Sequence, residues 1–276
     1  MKNVSDFFLD NLNIRPEADV YDVLRSSFYE EFDLRNFETD YVWEYWNDPI
    51  ITPTIIAEWD YLDSITKYWL KGKKSVLTVG GGGTSKTLDL IDFNCETLVI
   101  LNSSIWDLKT IESRDQVDIF KIRGIGEKLP FKSKVFDAIE IPATIDHLND
   151  PIQCLKEVGR VLKDNGIVII TCGNQTSWYR ELMKKMHFTH NEAHHHAHTH
   201  HFSPEVLQQF LEISGLEMVN LQTTAFLKLP KIIERRLGNK ILLKLHFLIS
   251  NGVLRRILGR NNGGMIHAVG KVKQNL

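Results

Sequence analysis

From residue 75 onward, short apolar runs alternate with stretches in which apolar residues recur every three or four positions. The runs at 75–79, 97–101, 117–122, 135–141 and 167–172 have the length and β-branched content of buried strands. Between them the spacing predicts helices near 85–93, 104–112 and 151–163. The last is the best punctuated. Asp150 can cap it, Pro151 suits its first position, and Ile152, Leu155, Val158 and Leu162 form its apolar stripe. Further on, Ser203-Pro204-Glu205 starts a helix that Gly215 ends, and strands are expected at 217–224 and 265–272. Residues 229–260 read as basic amphipathic helices broken at Gly238 and at Asn251-Gly252. Strand–helix alternation of this kind predicts a parallel sheet with helices on both faces.

Residues 1–72 follow another pattern. They read as helical and hold fifteen of the twenty-seven aromatic residues. The segment from Thr54 to Leu70 places Ile55, Ile56, Trp59, Leu62, Ile65, Trp69 and Leu70 near one helical face, which predicts packing on the sheet. The expected organisation is an aromatic, acidic helical extension over 1–72 and an α/β unit over 73–276 carrying a basic helical insertion at 229–260.

The chain of 276 residues is long enough for one large domain. With 43% hydrophobic and 25% charged residues it is globular in composition, and no apolar run is long enough for a membrane span. Cys95, Cys154 and Cys172 are widely spaced and odd in number, which speaks against a disulfide framework. With no leader-like pattern at Met1–Asp6, the cytoplasm is the expected location. Charge is uneven beneath a net −2. Residues 1–63 hold fifteen acids and four bases, whereas residues 228–260 hold nine bases and the single acid Glu234. The basic stretch suits a solvated face, or contact with an anionic membrane surface or a lipid-linked substrate. Nucleic acid is not expected, because the aromatic residues lie at the other end of the chain.

The stretch Val76-Leu-Thr-Val-Gly-Gly-Gly-Gly83 carries the chemistry. A buried strand running into glycines and then a helix start makes a site for a polar ligand, because glycine lets backbone approach the ligand and a helix end offers free N–H groups. Gly80-x-Gly82 opens like a dinucleotide or S-adenosylmethionine loop. Gly80-x-x-x-x-Ser85-Lys86-Thr87 is one residue from a P-loop.

Four segments together resemble the class I S-adenosylmethionine-dependent methyltransferases of the small-molecule type. They are the glycine loop, Glu127-Lys-Leu-Pro-Phe131, Phe136 through Pro151, and Leu155 through Ile170. The resemblance covers about residues 70–273 and implies a Rossmann-like, seven-stranded, mostly parallel sheet of order 3-2-1-4-5-7-6. It implies S-adenosylmethionine as cofactor, with its amino-acid end at Gly80, Gly81 and Gly82, and its ribose at Asn102 and Ser103. Its adenine would lie near Ile125 and Gly126, and its methyl side near Pro142, Ala143 and Thr144. The family commonly has acids at the positions of Thr78, Asn102 and Ile125, so this pocket carries fewer charges than usual. His147 follows the fourth strand, where the family often has His, and suits a general base.

Eight of eleven histidines fall between His187 and His201. The resemblance places this segment at the substrate mouth, and its imidazole density makes His194, His196 and His198 candidate ligands for a divalent transition metal. Two functions are expected to compete. One is methyl transfer to a small-molecule or lipid-like, anionic acceptor. The other is a catalytically silent, methyltransferase-like binding or assembly protein. A homodimer is compatible with either.

Overall fold

The computed structural model describes residues 4–32 apart from 11, 13, 15 and 18, then 53–81, 91, 94–112, 116–186, 199–227, 233 and 240–274. In chain order the elements are β1 (Val20–Asp22), α1 (Pro53–Leu70), β2 (Ser75–Val79), β3 (Thr97–Asn102), α2 (Ile105–Lys109), β4 (Asp118–Arg123), β5 (Phe136–Pro142), α3 (Pro151–Val161) and β6 (Leu162–Gly173). There follow α4 (Trp178–Lys185), α5 (Pro204–Ile213), β7 (Leu216–Thr224), α6 (Lys240–Phe247), a π-helical stretch Leu248–Leu254, α7 (Arg255–Leu258) and β8 (Met265–Val272).

One eight-stranded sheet has the order β1-β4-β3-β2-β5-β6-β8-β7. All pairings from β1 to β6 are parallel, and β8 runs antiparallel between β6 and β7. Without β1 this is the implied order 3-2-1-4-5-7-6. The expected strand count is corrected by one, because β1 adds a strand from the N-terminal segment to the free edge of β4. That three-residue strand had no alternation long enough to read.

Successive side chains of the strands enter opposite layers. Leu77, Val79, Val99 and Leu101 join one core with Leu155, Val158, Leu207 and Leu211 of α3 and α5. Val76, Leu98 and Ile100 join the other, with Leu70 of α1 and Leu108 of α2. Asp150 caps α3 through its side chain and Ser203 caps α5, each followed by proline, as their spacing predicts.

Three further expectations are corrected. The described residues between 4 and 32 form no α-helix, only two short 3-10 turns and β1. Val4, Phe7, Phe8, Val23, Leu24 and Tyr29 belong to the same core as the sheet, and Phe8 stacks on Phe131 at 5.9 Å while Phe7 stacks on Phe136 at 5.5 Å. Their aromatic content serves packing against β-structure, which fits aromatic rings better than a helix stripe does. The helix at 53–70 exists, but its buried stripe is Thr54, Glu58, Leu62, Thr66 and Leu70, and Ile56 is exposed. The polar members have partners waiting. Thr66 Oγ1 lies 3.1 Å from His267 Nε2, and Glu58 accepts hydrogen bonds from Asn251. The expected break at Asn251-Gly252 is also absent, because the chain stays helical there by widening into the π-helical stretch. Gly238 lies outside the described residues.

Candidate functional site

Parallel pairing delivers the ends of β2, β3, β4 and β5 to one edge of the sheet, the edge where ligands bind in open α/β folds. β2 ends in Gly80, whose φ of +78° is a left-handed conformation that glycine adopts without penalty. Its N–H donates to Leu101 O at 2.8 Å, so the chain turns while still attached to β3. A Cβ at Gly80 would stand 2.1 Å from Thr144 Oγ1, and one at Gly81 would stand 2.5 Å from Thr78 Cγ2. Both glycines are therefore required by contact as well as by the turn. Gly82 lies outside the described residues.

Asn102 closes the turn from the neighbouring strand. Its Nδ2 donates to Gly81 O at 2.9 Å, and its Oδ1 accepts from Ser104 N at 2.9 Å. An aspartate could not make the first of these bonds, since an ionised carboxylate has no donor. Each end of the amide retains capacity for one further bond.

The other two loops are braced from beneath. Gly124 N–H donates to Asn102 O at 3.0 Å. Tyr29 is fully buried below the loop, with its hydroxyl donating to Lys128 O at 2.7 Å and accepting from Ile125 N at 3.3 Å. Burial holds this phenol well above the ordinary tyrosine range. Arg123, at the end of β4, pairs with Asp22 at 3.1 Å and donates from Nε to Ser103 O at 3.0 Å. Ile125 and Gly126 are buried, and a Cβ at Gly126 would stand 2.9 Å from Cys154 Sγ. Glu127 accepts from Asn149 N at 2.9 Å and so ties this loop to the one after β5. Burial raises its carboxyl above the usual range.

After β5, Ala143 takes a positive φ of +43° and donates its N–H to Thr171 O at 2.8 Å. Thr144 Oγ1 donates to Pro142 O at 2.8 Å, which turns the threonine toward Gly80. His147 ends the 3-10 turn Ile145–His147, half-buried, with its N–H bonded to Thr144 O at 2.9 Å. Gly80, Gly81, Asn102, Ser103, Ile125, Gly126, Pro142 and Ala143 thus share one edge, with Thr78 packed just beneath.

His194, His196 and His198 lie outside the described residues. Among the described residues no group of three or more His, Cys, Asp or Glu side chains could hold a metal ion. The end of the histidine-rich segment does reach this edge. Thr199 N donates to Asp146 O at 2.9 Å, Thr199 Oγ1 donates to Leu148 O at 2.9 Å, and His200 Nε2 lies 3.3 Å from Asn149 O.

Three features were not picked out as site residues from the sequence. Tyr29 and the Asp22–Arg123 pair come from a segment with no motif. Glu140 had a signal, being an acid inside the apolar run Phe136–Pro142. It pairs in register with Thr78, is 5% exposed, and has Oε2 3.5 Å from Thr78 Oγ1.

Residues 77–170 match the family model described as a methyltransferase domain. A demethylmenaquinone methyltransferase of Mycolicibacterium paratuberculosis is 30% identical over 111 residues, 38% of this chain and 47% of the relative. The chain spans about half the length of the curated relatives it matches. Among solved structures, a Thermotoga maritima protein described as an S-adenosylmethionine-dependent methyltransferase, possible histamine N-methyltransferase, aligns with TM-score 0.59 and 21% identity. That alignment covers 89% of this chain and 98% of the other. The [4+2]-cyclase SpnF aligns with TM-score 0.54 and 15% identity over 83% and 86% of the two chains. The chain has the fold of the S-adenosylmethionine-dependent methyltransferase it aligns with, and its stretch 77–170 matches a methyltransferase domain.

Proposed function

We propose that this protein transfers a methyl group from S-adenosylmethionine to a small-molecule acceptor. The observation that carries the reading is the left-handed Gly80 turn, tied by Asn102 to the end of β3, within a segment that matches a methyltransferase domain.

The residues present fit the cofactor. With no Cβ at Gly80 and Gly81, the side chains of Thr144 and Thr78 pack directly against the turn and hold the backbone that the amino-acid end of the ligand would approach. Asn102 and Ser103 would meet the ribose hydroxyls, with the amide held in place by Gly81 and Ser104. Ile125 and Gly126 would flank the adenine, with Pro142 and Ala143 beside the methyl group. Glu140 supplies a buried carboxylate one strand away from Thr78, suited to the cofactor's ammonium. Bound S-adenosylmethionine supplies an already activated methyl group. The chain's task is then to align the acceptor, exclude water and remove a proton where the acceptor carries one. His147 is our candidate for the proton, since it follows the strand whose end lines the methyl side.

The acceptor class follows the curated relatives, which are named for demethylmenaquinone. A hydrophobic, quinol-like ring is therefore the first acceptor to test. A metal at His194, His196 and His198 is a separate proposal supported by imidazole density alone, and the reading above does not need it.

Calorimetric titration with S-adenosylmethionine, followed by assay of S-adenosylhomocysteine release with reduced naphthoquinones, tests the proposal. Binding that weakens in Glu140→Gln, with product release that collapses in His147→Ala, is expected. Binding without product release across acceptor classes would favour a silent binding protein, a role that Asn102's engagement with Gly81 also allows. Absence of binding by the folded protein would overturn methyl transfer and leave the catalytically silent binding or assembly role.

A further inference from the structure

The helical run after β7 wears its polarity inside out. From residue 240 to 258 it is continuously helical and docks on α1. The docked side is polar and aromatic. His246 and Ser250 are buried, Asn251 Nδ2 donates to both Glu58 oxygens at 3.0 and 2.9 Å, and Phe247 meets Tyr61 edge-on at 4.8 Å. The outward side is aliphatic. Ile241, Leu242, Leu245, Leu248, Ile249, Val253 and Ile257 are exposed, from 36% at Ile249 to 74% at Ile241. Many of them recur three or four residues apart, which makes a stripe along the run. An ordinary surface helix does the reverse, turning its apolar stripe to the core.

Charge narrows what covers that stripe. Residues 240–260 contain five Lys or Arg and no Asp or Glu. Lys244, Arg256 and Arg260 are exposed. An aliphatic strip fringed only by cations suits a surface that offers hydrocarbon and negative charge together. No helix among the described residues is long and apolar enough to cross a membrane, so a lipid contact here is in-plane.

The position is also informative. β7 lies parallel to β6, because both pair antiparallel with β8. Its end therefore reaches the same sheet edge as the Gly80 turn. Just past that end, Ala225 N donates to Glu58 Oε2 at 3.2 Å and to Asn251 Oδ1 at 3.1 Å, fixing the helical run to that edge.

We propose that the outer face of residues 240–258 docks in the plane of an anionic lipid bilayer. The proposal goes beyond methyl transfer and does not depend on it. If both hold, the cleft edge faces the bilayer and receives a membrane-dissolved acceptor.

Vesicle flotation with the whole protein tests this. The probes are vesicles of phosphatidylcholine alone and of phosphatidylcholine mixed with phosphatidylglycerol. Binding to the mixed vesicles should exceed binding to the neutral ones by roughly tenfold or more and should weaken with salt. Leu245→Asp with Leu248→Asp should remove it, and Lys244→Glu with Arg256→Glu should remove the preference for anionic lipid. All four side chains are exposed, so thermal unfolding should shift little, which keeps a negative result readable. Equal binding to both vesicle types, no vesicle binding, or full binding by the Leu245→Asp, Leu248→Asp variant would overturn the proposal. A dimer that this variant dissociates, without vesicle binding by the parent, would instead assign the face to a second copy.

Discussion

Acid should weaken this protein through His267, and the size of the effect can be worked out. His267 lies in the middle of β8, fully buried, with Nε2 3.1 Å from Thr66 Oγ1 and Nδ1 without a hydrogen-bond partner among the described residues. Burial lowers its pKa to about 4, against about 6.5 in an unfolded chain. Below pH 6.5 the unfolded chain takes up a proton that the native state refuses until about pH 4. The unfolded state thus binds more protons in this window, and stability falls as pH falls through it. The full window corresponds to about 3 kcal/mol, and the step from pH 7 to pH 5 to about 2 kcal/mol. His267→Gln removes the titration and keeps an amide able to bond Thr66. Urea unfolding of parent and variant, each at pH 7 and pH 5, gives the comparison, with tryptophan emission as the signal. The parent should lose about 2 kcal/mol more than the variant between the two pH values. Other titrating groups, such as Glu127, whose burial raises its pKa and opposes the trend, act in both proteins and cancel. Equal losses in the two proteins would refute the argument.

Tyr29→Phe removes the hydroxyl that serves Lys128 O and Ile125 N, so it should cost about 1–3 kcal/mol and weaken S-adenosylmethionine binding in calorimetry. If stability and affinity both hold, the brace has no role. Gly80→Ala forces a Cβ onto Thr144 at a left-handed φ. A stability loss of about 1–3 kcal/mol and loss of cofactor binding are expected, and wild-type binding would place the ligand elsewhere. Glu58→Ala removes the acceptor of Asn251 Nδ2 and one of the two acceptors of Ala225 N, so it should cost about 2 kcal/mol and expose residues 240–258 to limited proteolysis. An unchanged cleavage pattern would mean that apolar contacts alone hold the helical run.

The central parallel strands β2, β3 and β5 were readable because they are buried on both faces and so appear as near-continuous apolar runs. The run 75–79 and the final strand 265–272 match the structure at both ends. The N-terminal segment misled for a physical reason. Phe7, Phe8, Tyr21 and Tyr29 pack as separate anchors along a segment of short turns and one three-residue strand, and no period connects them. In α1 the spacing gave the element but not its facing. Glu58 and Thr66 look solvent-bound in sequence, yet their partners Asn251 and His267 arrive from about two hundred positions away. The glycine edge was legible because strand ends and turn residues carry it locally. Its braces were not, because Asp22–Arg123 and Tyr29–Ile125 each join distant parts of the chain.

The departures from the usual cofactor motif look different once those braces are in view. Thr78 stands where the resemblance implies an acid, but its register partner on β5 is Glu140, so a carboxylate lies beside it on the adjacent strand. Asn102 stands where another acid is implied, and its donor holds Gly81 in place, which a carboxylate could not do. The two changes support each other. Losing the acid at 78 makes room for Thr78 Cγ2 to pack under Gly81, and the turn so packed is closed from above by the Asn102 amide. Restoring Asp at 102 alone should therefore loosen the turn, because it removes the bond to Gly81 O. Asn102→Asp is expected to bind S-adenosylmethionine no better than the parent, despite bringing back the charge. Tighter binding of that variant by calorimetry would show that ribose recognition, and not closure of the turn, decides what stands at 102.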